Sequence, residues 1–280
     1  MALSLTDIGF SYGAGTRLEQ QALSGVTLEV EPGRVVVVLG PTGSGKSTLL
    51  RLAAGLLVPS SGTATFDGVP LAGNTTVRLG GVGIVFQSPE TQLFAETVLD
   101  DVAYGPRNQG LAPDAARHRA VEALHSVGLD PDAFGPRSPF ALSGGEARRA
   151  AIAGVLAMRP RYLLLDEPTA GLDASGRADV RAVLSHLRDR SGVVIVTHDA
   201  EEFLPLADTA LVLSEGKQVF GGPAEELVQR PGTLAEAGLR PPPVLETLQR
   251  ARAAGARIPR LTLDPAKAAT LLARAKGEGE

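Results

Sequence analysis

Residues 35–55 read VVVVLGPTGSGKSTLLRLAAG. The run VVVVL is apolar and mostly β-branched, as a strand buried on both faces requires. After it, Gly40, Pro41, Thr42, Gly43, Ser44, Gly45, Lys46, Ser47 and Thr48 satisfy the pattern G-x-x-x-x-G-K-[ST], and LLRLAAG continues as a helix. Strand, loop and helix in that order are the context that gives the pattern its meaning. The glycines let backbone N–H groups curl round an anion, and the helix N-terminus adds positive potential. Lys46 reaches the outer phosphates and Ser47 can ligate Mg²⁺. The stretch therefore predicts a nucleotide held by its phosphates.

Outward from it, further short apolar runs occur at GIVF (83–86), YLLLD (162–166), VVIVT (193–197) and ALVLS (210–214), separated by helical patterns near 46–56, 114–127, 143–158 and 174–190. This alternation predicts an α/β fold with a P-loop NTPase core and a mainly parallel sheet. The first 80 residues are richer in Gly, Thr and alternation, which predicts an antiparallel β layer beside that sheet. Residues 88–140 lack strand runs, so a helical subdomain is expected at about 88–150, inserted in a domain of residues 1–225. A C-terminal extension, 226–280, begins where the texture turns to PGT, a triple proline and Ala/Arg-rich pieces. Val244, Leu248 and Ala251 keep helical spacing, and Asp264-Pro265 offers an N-cap and first turn before Ala268, Leu271, Leu272 and Ala275. Two short amphipathic helices follow, open to packing on their own domain, to contact with another subunit or to disorder.

Bulk composition removes several classes of function. At 280 residues, 44% hydrophobic and 21% charged, the chain can build a sizeable core. Cysteine is absent, which excludes disulfides, thiolate metal sites and a catalytic thiol. A net charge of −4 provides no global basic field for nucleic acid, and none is expected as a partner. The opening MALSLTDIGFSY has no leader pattern, and no apolar run approaches a membrane span. Any membrane role is expected to run through partners.

YLLLDEP at 162–168 ends an apolar strand in two adjacent acids. Beside a phosphate loop, Asp166 is placed to hold Mg²⁺ directly or through water, and Glu167 to orient or deprotonate an attacking water. Between the two motifs lies LSGGEARRAAIAGVLA, 142–157. Ser143 as N-cap with Glu146 three residues on makes a capping box, and Gly144 and Gly145 leave the first amides open to an anion. Here the sequence resembles the ATP-binding cassette family, whose signature is usually LSGGQ; this chain has Glu146 in the last place. Turned back on its own cap, Glu146 leaves the site workable. Arg148 and Arg149 read as a solvated helix face.

The resemblance spans roughly residues 3 to 225 and rests on an ordered set of motifs. It implies ATP and Mg²⁺ as ligands, and a second ATPase subunit, identical or related, whose γ-phosphate is met by Ser143, Gly144 and Gly145. Tyr12 takes the place of the aromatic that stacks on adenine. Gln87, after GIVF, matches the glutamine that senses Mg²⁺ and the attacking water. Asp173, in AGLD, matches the residue that communicates across the dimer, and His198, after VVIVT, the switch histidine of the γ-phosphate. The other three histidines read as solvated. A plain P-loop kinase would leave LSGGE and THD without a role.

FQSPETQLFAETVLDDVAYGP, 86–106, contains Gln87 as its second residue and runs on from it. Leu93 and Phe94 put apolar bulk beside a nucleotide sensor, and Pro106 is expected to close an acidic helix from Asp100 to Tyr104. The wording is similar to ATPases of energy-coupling-factor importers and their cobalt or nickel relatives. That implies a transmembrane scaffold protein, a substrate-binding membrane protein, and a place at the cytoplasmic face of the cell membrane, with the cargo a vitamin, cobalt or nickel. Other cassette importers, an exporter and a soluble DNA or ribosome machine are the competing readings.

Overall fold

A computed structural model describes residues 2–71, 81–88, 92–187 and 191–277. Pro89, Glu90 and Thr91 of the PETQLF stretch, and the end of the helix expected to run to residue 190, lie outside the described residues.

The chain runs β1 (Leu3–Tyr12), β2 (Gln20–Val30), β3 (Val35–Leu39), α1 (Lys46–Ala53), β4 (Ser61–Phe66), β5 (Val69–Pro70) and β6 (Val82–Val85). The helical region follows, with α2 (Val98–Asn108), α3 (Pro113–Ser126), α4 (Pro131–Phe134) and α5 (Gly144–Ala157). Next come β7 (Tyr162–Asp166), α6 (Ala174–Leu187), β8 (Gly192–Thr197), α7 (Ala200–Phe203), β9 (Thr209–Ser214) and β10 (Lys217–Pro223). Four helices end the described chain: α8 (Ala224–Gln229), α9 (Gly232–Glu236), α10 (Pro243–Ala253) and α11 (Pro265–Gly277).

Among the described residues the strands form one sheet in the order β5-β4-β1-β2-β10-β9-β3-β8-β7-β6. The half from β9 to β6 is parallel. In the other half, β1 pairs antiparallel with β2 and β4, the β layer expected from the first 80 residues. The parallel strands read as unbroken apolar runs because both of their faces are covered. Val35, Val37, Leu39, Leu163, Leu165, Val193 and Ile195 join one buried cluster with the helical region. Their alternates Val36, Val38, Leu164, Val194 and Val196 join a second cluster with α1 and the antiparallel strands. No described helix is long and apolar enough to cross a membrane.

Two expectations about the helical region change. Pro106 does not close its helix; it is buried within α2, which is capped by Thr97, whose side chain accepts from the Asp100 N–H. A proline there forfeits its bond to the carbonyl four residues back and crowds that carbonyl, and the helix nevertheless continues past it to Asn108 with the ring buried. Leu93 and Phe94 also part company: Leu93 is 6% exposed and in the core, while Phe94 is 58% exposed. Asp101, itself buried, accepts from the Phe94 and Ala95 N–H groups at 2.7 and 2.8 Å and so fixes the turn that points Phe94 outward.

The C-terminal helices form where their spacing and caps predict. Asp264 accepts from the Ala266 and Lys267 N–H groups ahead of α11. The buried face of α10 centres on Leu245 and Leu248, with Val244 and Ala251 partly buried beside them. These leucines, with Ile258, Leu261 and Ala268, belong to the same cluster as β3 and β7. Full burial of a leucine is worth roughly 1.5–3 kcal/mol, enough to hold helices too short to be stable alone. Leu248→Ala is therefore expected to lower stability by about 2–5 kcal/mol, read by equilibrium urea unfolding; a change within about 0.5 kcal/mol, the range of a surface substitution, would show that the extension does not share the core.

Candidate active site

Four neighbouring parallel strands each deliver one part of the site. Leu39 at the end of β3 pairs with Thr197, Val196 with Asp166, and Leu165 with Val85. The phosphate loop, His198, the Asp166-Glu167 pair and Gln87 therefore leave the sheet at one level, at the carboxyl ends where open α/β sheets bind ligands. They border a cleft of about 540 Å³, lined by Tyr12, Thr42, Gly43, Gly45, Lys46, Ser47, Thr48, Gln87, Asp166, Glu167 and His198. Gln20, Gln21, Ala22, Glu215 and Gly216 also line it. Sequence reasoning missed these five, which reach the cleft only because β2 and the β9–β10 turn pass beside the phosphate loop.

Steric limits explain the loop's composition. A Cβ on Gly40 would sit 2.6 Å from the Leu213 carbonyl oxygen, and one on Gly45 2.7 Å from that of Ala22; Gly45 also has φ of +98°. Lys46 donates to the carbonyls of Gly40 at 2.7 Å and Pro41 at 2.9 Å. Burial pushes its pKa down, against the pull of Glu167 and Asp166. Tyr12 is 38% exposed, so it is not a core tyrosine, and its hydroxyl meets Thr48 Oγ1 at 3.1 Å.

Burial raises the pKa of Asp166, and the Ser47 hydroxyl bonded to it opposes the rise. One carboxylate, one hydroxyl and the amide oxygen of Gln87 make an oxygen-only donor set. No group of three or more His, Cys, Asp or Glu residues that could enclose a metal occurs among the described residues. This fits a Mg²⁺ that takes its remaining oxygens from phosphate and water. Glu167 stands in the left-handed region, with φ of +47°. Its Oε2 accepts from Thr197 Oγ1 at 3.0 Å, and its Oε1 lies 2.8 Å from His198 Nδ1. Buried Thr197 escaped sequence reasoning because it reads as the last residue of an apolar strand.

Ser143, Gly144, Gly145 and Asp173 do not line the cleft. They gather elsewhere, where a Cβ on Gly145 would come 3.8 Å from Gly176 Cα and Asp173 accepts from the Gly176 N–H at 2.8 Å. The capping box is present: Ser143 N–H donates to Glu146 Oε2 at 2.8 Å, and Glu146 N–H to Ser143 Oγ at 3.3 Å. That backbone bond lowers the Glu146 pKa. Arg148 and Arg149 correct the expectation of a solvated helix face. Arg148 is 5% exposed, and Arg149 is mostly buried and paired with Asp179 on α6. Both are covered by segments remote in sequence, Arg148 by the residues after β6 and β7 and Arg149 by α6. The remaining histidines, 118, 125 and 186, are exposed on helices, as expected.

Two outcomes follow from these contacts. Thr197→Val removes the hydroxyl that holds Glu167 and should slow nucleotide hydrolysis on the order of tenfold, read as steady-state phosphate release with KM unchanged. Glu146→Gln keeps a side chain that can accept from Ser143, so turnover should stay within about twofold while the charge-dipole gain of about 0.3–1 kcal/mol is lost. That gain exists only above the ordinary carboxylate pKa and disappears as pH falls through the lowered one, so parent and variant should converge in stability in acid.

Known proteins resemble the chain in sequence and in fold. The ABC transporter family matches residues 23–170. The energy-coupling factor transporter ATP-binding protein EcfA2 of Clostridium perfringens is 40% identical over 279 residues, covering 97% of this chain and 98% of that protein. The protein of the same name in Symbiobacterium thermophilum is 43% identical over 286 residues, with 99% of each covered. Among solved structures, CbiO1 of Clostridium perfringens, described as part of the ABC transporter complex CbiONQ, aligns with a TM-score of 0.73 at 33% identity, over 88% of this chain and 98% of that one. A dimeric ATP-binding cassette in a post-hydrolysis state, bound to ADP and Pi, aligns at 0.72 and 29% identity, over 80% and 99%. On a match across more than half its residues, and relatives aligned over nearly all of them, the chain belongs to the ABC transporter family of ATPases.

Proposed function

We propose that the chain is the ATP-hydrolysing subunit of an importer of the energy-coupling-factor type, paired with a second ATPase subunit at the cytoplasmic face of the cell membrane. The observation that carries this reading is the convergence of Lys46, Asp166, Glu167, Gln87 and His198 on one cleft, in a chain whose relatives are named as ATP-binding proteins of such transporters.

Phosphoryl transfer to water needs charge neutralisation and an in-line water more than covalent chemistry. Lys46 exchanges its bonds to the Gly40 and Pro41 carbonyls for the outer phosphates. Ser47 and Asp166, with Gln87 near them, would hold Mg²⁺, which when bound neutralises phosphate charge. Glu167, steadied by Thr197 and His198, takes the proton of the attacking water. His198 also stands within the cleft to meet the γ-phosphate, and Tyr12 at its border to stack on adenine.

Pairing is supported by what the cleft lacks. Ser143, Gly144, Gly145 and Asp173 do not line it, so a second subunit is needed to bring these groups to the nucleotide. Coupling to a membrane is supported by Phe94 and Tyr104, both about half exposed, whose rings meet edge to face at 4.8 Å beyond the Gln87 loop. An apolar surface beside a nucleotide sensor suits a helix of a transmembrane scaffold protein, which would hold a substrate-binding membrane protein for a vitamin or for a transition-metal ion such as cobalt or nickel. ATP drives such transport only by binding the closed pair more tightly than the open one.

Glu167→Gln should keep nucleotide binding and lower turnover by roughly 100- to 10,000-fold, holding the closed pair. Pulled from detergent-solubilised membranes with ATP, that variant should bring down a polytopic scaffold and a substrate-binding membrane protein, identified by mass spectrometry. Adding Phe94→Asp should lose both while nucleotide binding persists. Recovery of no membrane protein, or of ribosomal or DNA complexes, would reject the transport reading.

A further inference from the structure

Arg148 lies in the second turn of α5, and its guanidinium is spent on three backbone carbonyls from three separate places. NH1 donates to the Glu167 carbonyl at 2.7 Å, and NH2 donates to the carbonyls of Gln87 at 2.8 Å and Ala170 at 3.2 Å. These acceptors follow β6, follow β7, and lie in the turn that leads to Asp173. A planar fork of fixed donors, spread over two terminal nitrogens, can reach acceptors farther apart than the single nitrogen of a lysine can. Burying such a cation is costly unless its donors are satisfied, so any shift of one acceptor is opposed by the loss of a charge-assisted bond.

The Glu167 contact has a particular consequence. A non-glycine residue in the left-handed region holds that conformation only when its surroundings fix it. The Glu167 N–H donates to the Val196 carbonyl at 2.8 Å, and its carbonyl accepts from Arg148, so the residue is gripped on both sides. Backbone direction at Glu167 sets where its carboxylate meets Thr197 and His198.

We propose that Arg148 is the positioning residue of the hydrolytic centre: its three bonds fix the backbone of Glu167 and of Gln87 to the first turns of α5, and so set where the Glu167 carboxylate and the Gln87 side chain stand in the cleft. The inference rests on the ATP-hydrolysis reading above and adds a link within one subunit.

The test uses the full chain in the complex it forms, with Arg148→Met and Arg148→Lys, alone and combined with Gln87→Ala. Arg148→Met should cut kcat by about 100-fold, the scale of a small misplacement of reacting groups, with Arg148→Lys between it and the parent. KM and the affinity for a fluorescent ATP analogue should stay within about twofold, because the phosphate loop is untouched. In the Gln87→Ala background the Arg148→Met loss should be clearly smaller than alone, since the two act through one loop. An unchanged kcat, multiplicative losses in the double variant, or a lower melting temperature with full turnover per folded molecule would each overturn the inference. Should the parent itself fail to hydrolyse ATP, the underlying reading falls and this one with it; an active parent silenced by Glu167→Gln isolates the question to Arg148.

Discussion

In a parallel sheet every strand ends on the same side, and here the register aligns those ends: Leu39 beside Thr197, Val196 beside Asp166, Leu165 beside Val85. That alignment is the constraint from which the site follows. The phosphate loop, Glu167, His198 and Gln87 each come within two residues of the end of a paired strand, so their positions are set by backbone pairing more than by loop packing. A one-residue slip would exchange the two core clusters on every affected strand, which is why the register is strongly held.

The site so built is electrostatically unsettled on its own. Lys46 and Asp166 are both buried enough that burial disfavours the charged form of each, lowering the one pKa and raising the other. The ammonium turns to the carbonyls of its own loop, and Glu167 is held between Thr197 and His198. The phosphates of a nucleotide would supply a counter-charge for the lysine, and a Mg²⁺ beside them would supply one for the carboxylate. Binding free energy is thus available because the groups are already desolvated and aimed.

How much of this was legible depended on whether the signal was local. The phosphate loop, the capping box of Ser143 and Glu146, the strand-end acids and the Asp264 cap are short-range patterns whose physics is complete within a few residues, and they form as read. Arg148 was illegible for the opposite reason. On α5 it sits where a charged residue normally meets solvent, and only the return of β6 and β7 to the same place buries it. Thr197 is the same case on a strand. Pro106 was misjudged because the rule against interior proline counts a lost hydrogen bond but not the packing of α2 against its neighbours.

The separation of Leu93 from Phe94 shows how the sheet edge shapes the outer surface. β6 is the edge strand, and the Gln92 side chain covers that edge by accepting from the Phe86 N–H at 3.0 Å and donating to the Ile84 carbonyl at 3.4 Å. Held there, the chain turns Leu93 into the core, while the Asp101 carboxylate turns Phe94 out toward Tyr104. Gln87 lies between these fixed points, with its own carbonyl on Arg148. The described residues on either side of 89–91 are thus held by side chains on backbone groups: Arg148 on Gln87, Gln92 on Ile84 and Phe86, and Asp101 on Phe94 and Ala95.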